Sequence, residues 1–237
     1  MTIEIILSEH RKMKQTLFAI LLSIFAYCSV AQNPCRRMPT MKDIDGNTYA
    51  TVQIGRQCWM RENIRSTHDK DGNLIELGSN LSYDAPYRYY PDSSYSNVEK
   101  YGYLYNWEAA IKVCPLGWHL PSQSEFQTLA KYCSAHFAVG ENPKYNAKSL
   151  ASQEGWCVTD IKYTAGKEQY ANNASGFSAF PAGVCDNTCY HANLWCSTQC
   201  AKYHAYAFII YYDDPEAIAA TIDIQKEEYM SVRCIRD

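Results

Sequence analysis

From Thr48 the chain runs Thr48-Tyr49-Ala50-Thr51-Val52-Gln53-Ile54, breaks at Gly55-Arg56, and resumes as Gln57-Cys58-Trp59-Met60-Arg61. Two stretches rich in β-branched and aromatic residues around a glycine-containing break predict a hairpin, because such side chains suit a pleated, half-buried surface. Just before it, Asp43-Ile44-Asp45-Gly46-Asn47 reads as a turn, and the pattern recurs as Asp69-Lys70-Asp71-Gly72-Asn73. Acidic residues around a glycine suggest calcium. However, the glycine stands fourth rather than sixth and no glutamate closes a twelve-residue loop, so a plain turn is expected. Residues 79–100 are rich in Tyr, Ser, Pro and Asn and show no period; they read as a long surface loop whose aromatics pack on the flank of the domain.

At Gly102 the period changes. Leu104, Trp107, Ile111 and Cys114 fall on one face of a helix that Pro115 stops. A second helix is predicted from Ser122, where Ser122 and Glu125 form a capping box and Phe126, Leu129, Ala130 and Cys133 make the buried stripe. Between the two helices, Cys114-Pro115-Leu116-Gly117-Trp118-His119-Leu120-Pro121 reads as a rigid corner, and His119 as a structural histidine. Loops dominate after Gly140. Phe177 to Gly183 is predicted as a short strand, and Leu194–Thr198, Tyr206–Tyr212, Ala219–Ile224 and Met230–Ile235 as strands of an antiparallel meander. The plan is α+β: a hairpin, two short helices that must lie against a sheet, long loops and a late sheet.

Residues 1–31 read as an export signal. Lys12 and Lys14 flank Met13, which is the expected true start, and an apolar run about eleven residues long, from Leu17 to Tyr27, precedes the cleavage sequence Ser29-Val30-Ala31. That run falls short of the roughly twenty residues a membrane span needs, so no transmembrane anchor is expected. Bulky Tyr27 argues against lipidation of Cys28. The remaining chain, a short segment 32–42 and one domain over 43–237, is long enough for its own core. Removing Arg11, Lys12 and Lys14 from 22 basic residues, and Glu4 and Glu9 from 25 acidic ones, leaves 19 and 23. A mildly acidic chain gives nucleic acid no footing. Of 11 cysteines, Cys28 leaves with the signal, and the even number that remains suggests a disulfide framework in an oxidising compartment; spacing alone does not solve the pairing.

In order and spacing, the stretches Asp43 to Asn63 (DIDGNTYATVQIGRQCWMREN), Tyr101 to Glu125 (YGYLYNWEAAIKVCPLGWHLPSQSE), Gly176 to Gly183 (GFSAFPAG), Leu194 to Thr198 (LWCST) and Ser231 to Asp237 (SVRCIRD) resemble the Fibrobacter succinogenes major paralogous domain family. The family occurs in exported proteins of Bacteroidetes and their relatives. The resemblance implies a C-type-lectin-like fold, with N- and C-terminal strands paired, two helices flanking the sheet and a long loop region as ligand surface. It also implies that Cys114 pairs with Cys234, which would clamp a helix end to the last strand and close a loop worth about 4 kcal/mol. The calcium chemistry of lectins of that fold does not carry over: Glu141-Asn142-Pro143 is out of order and Trp195 is followed by Cys196-Ser197.

Cys185, Cys189, Cys196 and Cys200, a set that is not part of the family's recurring cysteine pattern, are flanked by His191 and His204. Two local disulfides are expected over a zinc site, because the chain is exported and the spacing is loose for structural zinc. Crosslinks there would stiffen a loop and lower the entropic cost of presenting it. From Cys185 to Asp214 the segment is rich in Tyr, His, Asn and Asp, a composition suited to recognition. Tyr190, His191, Asn193, Trp195, Tyr203, His204 and Tyr206 are therefore the candidate ligand-binding residues. Some proteins of the implied fold have this surface diversified by retroelements, and the composition is compatible with that. The expected function is a non-catalytic adhesion or ligand-binding module at the cell surface, without cofactor, whose partner is a protein or glycan. The alternative is a structural subunit of a surface appendage or envelope assembly. A third reading, a formylglycine-generating-like oxidoreductase, would use Cys196 and Cys200 as a copper-binding pair; the corner Leu120-Pro121-Ser122 with Glu125 resembles those enzymes, but the residues around the cysteines do not.

Overall fold

The computed structural model describes residues 33–182 and 188–237, and Pro34–Asp237 form one compact unit. The predicted export signal lies outside the described residues. The first sheet holds β1 (Thr40–Lys42), β2 (Thr48–Ile54), β3 (Gln57–Met60), β7 (Trp118–His119) and β12 (Ile235–Arg236), in the order β1-β2-β3-β12-β7, antiparallel throughout. The second holds β4 (Glu76–Leu77), β5 (Tyr87–Tyr89), β6 (Leu104–Tyr105), β8 (His191–Ala201), β9 (His204–Tyr211), β10 (Ile218–Gln225) and β11 (Met230–Ser231), in the order β10-β9-β8-β11-β6-β5-β4. Its ladders are antiparallel except β8 with β11 and β4 with β5. Helices are few: α1 (Val98–Tyr101), α2 (Trp107–Val113), α3 (Gln123–Phe137) and α4 (Ala147–Leu150). None of the described helices is long and apolar enough to cross a membrane.

The hairpin of β2 and β3 forms as the pattern predicts, with Val52 opposite Trp59. Both acidic turns close in the same way. Asp43 accepts from the Asn47 backbone N–H at 2.9 Å, Asp69 does the same for Asn73 at 2.9 Å, and Gly46 and Gly72 take φ of 83° and 88°. Asp43 and Asp69 close their own turns, as the plain-turn reading requires, while Asp43 also accepts from the Tyr49 hydroxyl at 2.6 Å and Asp45 accepts from Ser66 and Thr67. Segment 32–42 is not a mere lead-in: it supplies β1, and Cys35 is joined to Cys58 of β3.

Helix α3 starts at its capping box and buries Phe126, Leu129, Ala130 and Cys133. The earlier helix is shorter than predicted. Leu104 and Tyr105 lie in β6, Asn106 caps α2, the buried face is Trp107, Ala109, Ala110 and Val113, and Ile111 is exposed. Two small alanines let the backbone approach the sheet, so the apparent Leu–Trp–Ile stripe is not the one that packs.

The predicted late meander holds for β8, β9 and β10, and the final strand splits. β11 pairs with β6 and β8 in the second sheet, whereas β12 inserts between β3 and β7 in the first. Val232, Arg233 and Cys234 carry the chain from one sheet to the other, and Cys234 is joined to Cys114 at the end of α2. Arg233 is wholly buried; it donates to the Phe177 and Ser178 carbonyls and to Asn63 Oδ1, 2.7 Å away. Those bonds hold the 177–182 stretch, which forms only a bridge between Ala179 and Ala151 instead of the predicted strand.

Strands β8 and β9 are covered on both faces. Leu194, Cys196, Phe208 and Ile210 pack with Phe126 and Leu129 of α3, while Trp195, Ala207 and Ile209 pack with Trp107 and Tyr105. This explains the nearly continuous apolar sequence of β9 and the Leu194–Cys196 run of β8.

Candidate functional site

Among the described residues three disulfides form: Cys35–Cys58, Cys114–Cys234 and Cys157–Cys189. The last corrects the expected pair of local crosslinks. Cys189 reaches back to Cys157, Cys196 and Cys200 are free thiols, and Cys185 lies outside the described residues. The physical reason is β8. Cys196 and Cys200 lie four residues apart along extended backbone, the first buried and the second exposed, and no disulfide joins them. Burial pushes the Cys196 thiol up, away from thiolate character. Among the described residues no three His, Cys, Asp or Glu side chains are grouped to hold a metal ion.

The seven predicted ligand-binding residues do not come together. Tyr190 and His191 stand at the start of β8, where Tyr190 packs edge-on against Tyr212 and His191 against Tyr211. Asn193 is buried, with its amide N–H on His191 Nδ1 at 3.1 Å. Trp195 is wholly buried and donates Nε1–H to the Tyr105 carbonyl at 2.7 Å, so it is a core residue. Tyr206 is half-buried against the core on the α3 side. Tyr203 and His204 lie at the tip of the β8–β9 hairpin, and the eleven residues of β8 put roughly 35 Å between that tip and Tyr190.

The hairpin tip instead joins a second set of aromatics that the sequence left in a featureless loop. Exposed Tyr203 packs edge-on against Tyr83, with centroids 5.2 Å apart. Tyr83 is two residues from Leu81, which lines a groove of about 540 Å³ together with Leu77, Tyr89, Tyr90 and Tyr229. Tyr229 stacks on Tyr89 at 4.4 Å, and Tyr90 meets exposed Tyr95 edge-on at 5.8 Å. Ser79, Asn80 and Ser93 add small polar groups to the lining. Every lining residue is uncharged.

Two buried polar side chains build this face. Asn106, with no exposed surface, uses all its hydrogen-bonding capacity. Its Oδ1 accepts from Tyr87 N–H at 2.9 Å and from Ala109 N–H at 3.2 Å, and its Nδ2 donates to the Ser82 and Ala85 carbonyls at 2.9 and 2.7 Å. One residue thus caps α2 and moors the 82–87 segment. Lys226 is nearly as buried; its Nζ donates to Gln199 Oε1 at 2.7 Å and to the Lys202 carbonyl at 3.0 Å, and lies 4.1 Å from the Trp107 ring centre. It pins the hairpin tip to α2. Gly78 completes the floor: a Cβ there would stand 2.5 Å from the Tyr89 ring. The signal that could have found the groove was the cluster Tyr87, Tyr89 and Tyr90 ahead of Asn106-Trp107, but a mooring between residues about twenty apart has no period to read.

At the far corner His119 bonds Asp237 Oδ1 at 2.6 Å and Glu125 Oε1 at 2.9 Å. Burial lowers its pKa, but the two carboxylates outweigh that and leave it raised. The arrangement ties β7 to α3 and to Asp237.

A family model described as the Fibrobacter succinogenes major domain matches residues 52–236. No curated protein matches the chain, and no solved structure does.

Proposed function

This chain belongs to the Fibrobacter succinogenes major domain family, and from that premise we propose that it is an exported, non-catalytic module that captures a ligand at the cell surface on a C-type-lectin-like scaffold. The observation that carries the reading is the uncharged aromatic groove of about 540 Å³. Its volume lies in the ordinary range of ligand pockets, about 300–1,000 Å³, and such pockets combine apolar walls with a few polar groups. Export is supported by three disulfides and by the leader-like residues 1–31. The scaffold reading draws on the insertion of β12 between β3 and β7, the Cys114–Cys234 clamp and the long segments between elements. The ligand face moves from the 185–214 segment to residues 77–95 and Tyr229, with Tyr203 as the one sequence-predicted residue beside it.

The test is a ligand-observed NMR screen of the folded protein against a mixed library of saccharides, peptides and lipid headgroups. Binding that weakens in Leu81→Ala and in Tyr229→Ala, both still folded by circular dichroism, supports the groove. Hits that persist unchanged in both variants place binding elsewhere, and a hit consumed during the measurement ends the non-catalytic reading.

A further inference from the structure

We infer that the groove takes neutral pyranose rings of a glycan chain, without calcium; this rests on the reading of the groove as the ligand site and adds the class of ligand. The lining decides the charge first. With Leu77, Leu81, Tyr89, Tyr90 and Tyr229 as walls and Ser79, Asn80 and Ser93 as polar groups, no cation lines the cavity to meet phosphate, sulfate or uronate, and no anion lines it to meet an amine. A charged ligand would lose its hydration there without a partner.

Next comes polarity. A purely apolar chain would leave Ser79 and Asn80, both exposed on the same wall, covered and unpaired. A pyranose ring carries C–H groups on its faces and hydroxyls around its edge. Tyrosines match it, because each offers an apolar ring face and a polar tip. The serine hydroxyls and the Asn80 amide supply both donors and acceptors for ring hydroxyls.

Geometry then argues against one competitor, a peptide bound by strand addition. A peptide could add as a strand along the free edge of β4, but β4 is only Glu76–Leu77 and presents too few backbone groups for strand addition. Length follows from the aromatics beyond the groove. Tyr83, two residues along the chain from the groove-lining Leu81, packs against Tyr203, and we assign this aromatic pair as the contact for a glycan longer than the groove. No acidic residue lines the groove, so nothing there calls for calcium, which takes oxygen ligands chiefly from carboxylates and carbonyls.

The test is calorimetry and ligand-observed NMR on the full folded chain with neutral hexasaccharides as probes: cellohexaose, xylohexaose, mannohexaose and laminarihexaose. Heparin hexasaccharide, oligogalacturonate, an extended neutral peptide and a short-chain phosphatidylcholine are the comparison set. The expected result is binding of at least one neutral hexasaccharide that changes less than about twofold between low and roughly 0.5 M salt, is indifferent to EDTA, and weakens about tenfold or more in Leu81→Ala and Tyr229→Ala. Tyr203→Ala should weaken the hexasaccharide and spare the disaccharide of the same sugar. Binding of the charged oligosaccharides with steep salt dependence, loss of neutral-glycan binding in EDTA, or occupation of the groove by the peptide or the phospholipid alone each overturns the inference, while the groove stands as a ligand site. If no probe is weakened by the groove variants, the inference and the reading beneath it both fall.

Discussion

Asn106→Asp separates two accounts of one residue. As a helix cap, Asp is as good as Asn, so a side chain whose only task was to cap α2 would tolerate the change at a cost near zero. The structure assigns Asn106 a second task. Its Nδ2 donates to the Ser82 and Ala85 carbonyls while Oδ1 holds Tyr87 and Ala109. In the aspartate, one oxygen keeps the cap and the other faces two carbonyl oxygens with no proton to offer. Each acceptor left without its donor costs about 1–3 kcal/mol when buried. The segment is partly buried, so the lower half of that range applies twice, and the added carboxylate repulsion brings the total to about 3 kcal/mol at neutral pH.

For a chain of this size each kcal/mol moves the melting temperature about 2–4 °C, so a fall of roughly 6–12 °C is expected by calorimetry. The pH dependence gives an independent sign. Burial against carbonyls raises the new carboxyl's folded pKa above its unfolded value of about 3.9. The folded state then binds the proton first, so the variant's deficit shrinks as pH falls through the folded pKa and is smallest below about 4. There the protonated acid returns one of the two lost donors. A variant within about 0.5 kcal/mol of the parent at neutral pH would refute the mooring role and leave Asn106 as a cap. If the deficit is present but does not change with pH, the carbonyls are not facing the new oxygen.

Other consequences can be checked with less apparatus. Lys226→Met keeps the stem but removes two charge-assisted hydrogen bonds and the contact with Trp107, so a loss of about 2–4 kcal/mol is expected, with faster amide exchange at residues 199–204; unchanged exchange there would disconnect Lys226 from the hairpin tip. Disulfide mapping should return Cys35 with Cys58, Cys114 with Cys234 and Cys157 with Cys189, while exposed Cys200 alkylates in the native protein and buried Cys133 and Cys196 only after denaturation; a peptide joining Cys189 to Cys196 would contradict the structure. Loop closure over separations of 120, 32 and 23 residues gives about 5, 3.7 and 3.4 kcal/mol, so alanine at Cys114 and Cys234 together should cost the most in urea unfolding. Around His119, the histidine contribution is complete below its unfolded pKa of 6.5 and is lost as pH rises through the raised folded value. Burial raises Glu125, but bonds from Ser122 and His119 outweigh that and leave its pKa lowered, so its contribution is present above 4.5 and fades as pH falls through the lowered value. The parent should therefore gain most over His119→Gln between pH 4.5 and 6.5, by less than about 1 kcal/mol after solvent screening; a pH-independent difference in melting temperature would break the assignment.

What the sequence determined by itself was local. The β2–β3 hairpin, the twin acidic turns and the capping box of α3 with its four buried residues each depend on residues within a few positions of one another, where periodicity and turn chemistry act directly. The meander of β8, β9 and β10 was legible for the same reason, as was the family that the five quoted stretches resemble. The tertiary structure decided everything that joins distant residues. It split the last strand between two sheets, because Cys234 and Arg233 are held by Cys114, Asn63 and the Phe177 carbonyl. It set Cys189 beside Cys157, whose backbone N–H donates to the Cys189 carbonyl at 2.9 Å, and it left Cys196 and Cys200 unbonded in β8. It turned Trp195 inward, because both faces of β8 are covered. It also assembled the aromatic groove from residues 77–93 and Tyr229, moored through Asn106 and Lys226. Side chains that satisfy distant carbonyls carry no period along the chain, so the site they build appears only when the chain is folded.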